Sequence, residues 1–68
     1  MVNIGVQQNG DDFFAVINNP SINYRLVGAA FRARKDFDAY GRAVADAKDW
    51  QAKFVKAGIK ANLVDVVS

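Results

Sequence analysis

Few side chains in this sequence could do chemistry. Histidine, cysteine, threonine and glutamate are absent, and serine occurs only as Ser21 and Ser68. A serine nucleophile needs a base beside it, and neither serine has one nearby in the sequence. The adjacent carboxylates Asp11 and Asp12 have the makings of a dyad, but they follow Asn9-Gly10, a strong hairpin-turn signal, and are expected to be fully solvated. Five glycines are scattered singly, so no phosphate-cradling loop is encoded. The usual ligands of zinc, copper, haem and iron–sulfur clusters are missing, as are disulfides. These residue types predict a chain that is not an enzyme, carries no cofactor and no metal, and works by binding.

Two groups of residues are candidates for that binding. The charged residues are unevenly spread: residues 1–24 hold only Asp11 and Asp12 before Arg25, Arg32, Arg34, Lys35 and Arg42 arrive in quick succession. Arg32, Arg34, Lys35 and Arg42 form a candidate phosphate grip for nucleic acid. The second group is apolar. Phe13, Phe14, Ala15, Val16 and Ile17 run without a polar residue, so one alternating half of the run must face away from whatever covers the other half. The last segment has the same surplus, and the candidate protein interface is Phe13, Phe14, Val16, Ile17, Val64 and Val66. A protein partner or a second copy is the leading expectation, and nucleic acid is the alternative.

The elements that position these residues follow from the pattern. Val2, Ile4 and Val6 alternate with Asn3, Gly5 and Gln7, as in a half-buried strand. With 13–17 as the return strand, a two-residue turn pairs Val6 with Phe13, and a three-residue turn pairs Val6 with Phe14. Both registers match apolar with apolar. Asn18-Asn19-Pro20-Ser21 is a turn cluster. Residues 22–33 read as a strand, with Val27, Ala29, Phe31 and Ala33 on one face, or as a helix capped by Asn19 with Pro20 in its first turn. The alternation of Phe31-Arg32-Ala33-Arg34 favours the strand. Phe37, Tyr40, Val44, Ala47 and Phe54 recur at helical spacing, which predicts a helix over 36–57 capped by Asp36 and stopped by Gly58. Asp38 with Arg42 and Asp49 with Lys53 are spaced for ion pairs. Gln51 lies on the apolar face and is expected to reach water or a backbone carbonyl. Gly41, Ala45 and Ala52 form a small-residue flank. Residues 59–67 complete the pattern as a last strand.

The expected fold is a small two-layer α+β domain spanning residues 1–68, in β-β-β-α-β order, a four-stranded sheet with one long helix packed on one face. Three strands followed by a helix resembles, in element order, the small DNA-binding domains at the N-termini of many phage-type integrases; the extra C-terminal strand departs from them. A domain of 68 residues buries only about 60% of its unfolded surface and commonly needs a second chain for stability. Its 51% apolar residues could serve that need, while the net charge of +2 is too small to imply nucleic acid by itself. Residues 1–10 carry no signal-peptide pattern, and no apolar run approaches a membrane span, so a cytoplasmic location is expected. Small cysteine-free α+β proteins without catalytic groups are typical of phage and mobile-element accessory proteins, anti-CRISPR proteins among them, that act as inhibitors or regulators.

Overall fold

Alternation, turn residues and one helical seam build the observed architecture, a mixed sheet with a helix across one face. The computed structural model describes residues 1–64. Strand β1 spans Val2–Asn9, β2 Asp12–Asn19, β3 Tyr24–Val27 and β4 Phe31–Arg32; helix α1 spans Ala39–Lys56 and strand β5 Ala61–Leu63. The element order is the expected one, except that the third strand is split. The sheet runs β3-β2-β1-β5, with β4 beside β3 on the same edge of β2. The β1–β2, β2–β3 and β2–β4 pairs are antiparallel, and the first and last strands pair in parallel.

The hairpin takes neither expected register. Its two-residue loop is Gly10-Asp11, which pairs Ile4 with Ile17, Val6 with Ala15 and Gln8 with Phe13. Gly10 has φ +62° and Asp11 has no positive φ, so glycine occupies the one left-handed site of a Gly-first turn. Moving the loop by one residue lengthens the ladder to Asn9↔Asp12 and brings Ile4 against Ile17. Both are fully buried at the centre of the core, with Val2, Ala15, Ala47 and Ala61 around them.

Segment 22–33 contains part of each expectation. Asn19 caps a single 3-10 turn over Pro20–Ile22, accepting from the Ser21 N–H, and Asn23 closes it at φ +52°. The strand then begins, but it is interrupted. Between the pairs Val16↔Val27 and Phe13↔Phe31 lie three residues on this segment, 28–30, and two on β2. That extra residue is a bulge, and it reverses which face each later side chain occupies. Val27 and Phe31 therefore point to opposite faces, not to one face as the alternation suggested. The bulge is anchored by the Gly28 N–H donating to the Ala15 carbonyl at 2.8 Å.

Helix α1 begins three residues later than expected. Asp38, not Asp36, is the cap, its Oδ1 accepting from the Gly41 N–H at 2.9 Å. Asp36 instead sits at φ +63° in a tight turn closed by the Phe37 N–H to the Arg34 carbonyl at 3.1 Å. Gly41 is small for the sake of the cap, since a Cβ there would crowd the Asp38 carboxyl group. Ala39, Ala43, Val44 and Ala47 are buried, so the helix meets the sheet mostly through alanines and approaches it closely. The larger Tyr40, Trp50 and Phe54 flank that seam half-buried, Tyr40 meeting Phe13 edge-on at 5.7 Å. Gln51 donates to the Ala61 carbonyl at 3.0 Å, the backbone contact expected of it.

The helix ends as the sequence indicates. The Gly58 N–H donates to Val55 and the Ile59 N–H to Phe54, both at 2.9 Å, with Gly58 at φ +81°. This paired closure satisfies two of the last carbonyls. Gly58→Val is expected to cost about 1–2 kcal/mol and to lower the melting temperature by about 5–15 °C, measured by circular dichroism. One helical group is poorly served: Asp46 Oδ2 is buried with no hydrogen-bond partner among the described residues. A Cβ on Gly28 would lie 2.7 Å from it. Asp46→Ala should therefore raise stability by about 1 kcal/mol in urea unfolding. Gly28→Ala should be destabilising alone and close to neutral in the Asp46→Ala background.

Candidate protein-binding face

Strand registers sort the side chains into two faces. Towards the helix point Val2, Ile4 and Val6 of β1 with Phe13, Ala15 and Ile17 of β2. Away from it point Phe14 and Val16, and the rest of that face can be read as rows running across the strands. One row is polar throughout: Asn62 beside Asn3, Asn3 opposite Asn18, Asn18 opposite Arg25. The next is apolar: Val64 beside Gly5, Gly5 opposite Val16, Val16 opposite Val27. Beyond these come Gln7 with Phe14, then Asn9 with Asp12 and Arg32.

Of the candidate interface residues, Phe14, Val16 and Val64 lie on this open face. Phe13 and Ile17 do not; they pack under the helix, and Ile17 is fully buried. Val66 lies outside the described residues. Val27 joins the open face because of the bulge, at 46% exposed, and Val64 is 39% exposed. Gly5 leaves a shallow hollow of about 230 Å³ walled by Asn3, Gln7, Val16 and Val64. A Cβ at Gly5 would come within 3.0 Å of the Val64 carbonyl, so the hollow follows from close strand approach.

Val16 is only 7% exposed although no second layer among the described residues covers it. Arg25 donates across the face to Gln7 Oε1 at 3.4 Å. Arg25 stands opposite Asn18 and Gln7 opposite Phe14, so Val16 lies on the diagonal between them, beneath the arginine stem. An apolar stem spread over an apolar neighbour with its charge in water is ordinary arginine behaviour. Composition gave no sign of Arg25's role, which requires the register of three strands.

The four basic candidates do not converge. Arg32 lies on the open face and binds Asp12 at 3.1 Å. That hydrogen bond, and then the charge of Asp12, raise the guanidinium pKa. Asp12 is thus paired and not simply solvated; Asp11 is exposed. Arg42 stands on the helix side, 5.5 Å over the Phe31 ring, and Arg34 is 4.8 Å over Phe37. Lys35 is exposed in the turn. Among the described residues the expected Asp38–Arg42 and Asp49–Lys53 pairs do not form. Asp38 caps the helix, and Lys53 lies 4.9 Å over Trp50. The small flank divides, with Gly41 serving the cap and Ala45 and Ala52 left exposed.

Among the described residues, no group of three or more potential metal ligands is gathered, and no helix is long and apolar enough to cross a membrane. With the cations on two sides of the sheet, fluorescence anisotropy against mixed DNA at low salt should show no saturation below about 100 μM, within the range of ordinary non-specific binding. Tighter binding with a steep salt dependence would mean that the four cations act together. Comparison of the chain with protein-family models, with curated proteins and with solved structures found no match.

Proposed function

We propose that this chain is a non-catalytic protein-binding module whose contact surface is the sheet face away from the helix. The observation that carries the reading is the apolar row Val64, Gly5, Val16 and Val27, open to solvent except where the Arg25 stem crosses it. Phe14 adjoins the row, and carboxamides border it, able to donate and accept at a partner's backbone. Apolar centres with polar rims are the usual anatomy of protein contacts. The size and residue chemistry suit an accessory protein of a phage or mobile element that inhibits or regulates through a surface of its sheet or by dimerising.

Binding of the hydrophobic dye ANS tests the face directly. The native protein should bind the dye, Arg25→Ala should raise the fluorescence by uncovering Val16, and Val27→Lys should lower it. A protein that is both strictly monomeric in sedimentation and silent to the dye would overturn the reading, because the face would then be complete by itself.

A further inference from the structure

We infer that the occupant of this face is a second copy of the same chain, packed sheet to sheet about a two-fold axis along the seam between β1 and β2. The inference rests on the open face being the contact surface, and it comes from the order of residues in each row. Outward from the seam, the apolar row reads Gly5 then Val64 on one side, and Val16 then Val27 on the other. A two-fold axis on the seam lays each row on its own reversal. Val16 of one copy then enters the hollow over Gly5 of the other, and Val27 meets Val64.

The polar row closes on itself in the same operation. Asn3 meets Asn18 of the second copy, and a carboxamide, with donor and acceptor together, can pair with another carboxamide. Arg25 comes opposite Asn62, whose side-chain oxygen can accept from the guanidinium. Asp12 meets Asn9, so among the described residues no charge faces its like. The bond Arg25 gives up, to Gln7, is long at 3.4 Å and exposed.

Size sets the strength of the association. β1 and β2 each run about 27 Å, and β3, β4 and β5 together about 30 Å; at about 4.8 Å per strand the face is on the order of 400 Å² per copy. The total of about 800 Å² lies below the standard range for specific interfaces, among weak and transient contacts. The dimer is therefore weak and concentration-dependent.

Sedimentation equilibrium of the full chain tests this. The mass should be 7.4 kDa at about 10 μM and approach twice that near 1 mM. Val27 and Val64 are both exposed in the single chain, so Val27→Asp and Val64→Lys should fold with little change in melting temperature. Each alone should weaken association by more than about tenfold, because it buries an unpaired charge. The double variant V27D/V64K sets Asp against Lys at both ends of the row and should recover association to within about threefold of the native chain. A dimer indifferent to the single substitutions, or one that the double variant fails to restore, would overturn the inference. A strict monomer near 1 mM that still binds ANS would also overturn it while leaving the protein-binding reading intact, with another protein as the occupant. A monomer that binds no dye would remove both.

Discussion

One helix has one side to give a sheet, and the rest of this structure follows from how it is used. A helix with its side chains is about 10–12 Å wide, while four strands span about 19 Å. The alanine seam of α1 lets the helix lie close over β1 and β2, where Ile4 and Ile17 meet beneath Ala47. Residues farther out, Leu26 on β3 and Leu63 on β5, are only half-buried. Nothing in the described residues forms a second layer, so the opposite face must be made tolerable in water by its own side chains. Arg25 laid over Val16, with carboxamides beside it, is how that is done.

Much of the architecture was legible because it is written in local patterns. Alternation over 2–7, the apolar run 13–17, the helical seam and the Gly58 stop each depend on neighbours in sequence. What was not legible depends on other strands. The bulge at 28–30 exists only relative to Phe14 and Ala15 on β2, so no window of the segment alone shows that Val27 and Phe31 part company. The hairpin loop shifted because both apolar registers were acceptable locally, and the longer ladder decided between turns. Asp36 and Asp38 are both good caps by type, and the turn that joins Arg34 to Phe37 selected the second. In the candidate face, Phe14, Val16 and Val64 were readable as surplus apolar residues; Val27 and Arg25 needed the register.

The basic residues show how charge counted along a chain misleads. Arg34, Arg42 and Lys53 each lie over an aromatic ring, and Arg32 is held by Asp12. Spacing had suggested helical ion pairs for two of these cations, but a capping role removed Asp38 from competition. A cation over a ring is worth about 0.5–1 kcal/mol at an exposed site, which matters in a domain this small. These side chains fix the outer edges of the core while remaining in solvent.

The pairing of the first strand with the last has a kinetic side. Val2 registers with Ala61 and Ile4 with Leu63, so the edge of β1 away from the hairpin stays open until residues 61–63 have emerged. The β1–β2 hairpin and the helix are built from local contacts and can form in microseconds. The parallel closure spans the widest sequence separation among the described strand pairs, and the entropy of that loop is lost before any contact repays it. During synthesis the nascent protein therefore passes through a stage in which a hairpin with one unsatisfied edge waits for its final partner. That stage, more than the finished fold, is where this chain is exposed to mispairing with its neighbours on a polysome.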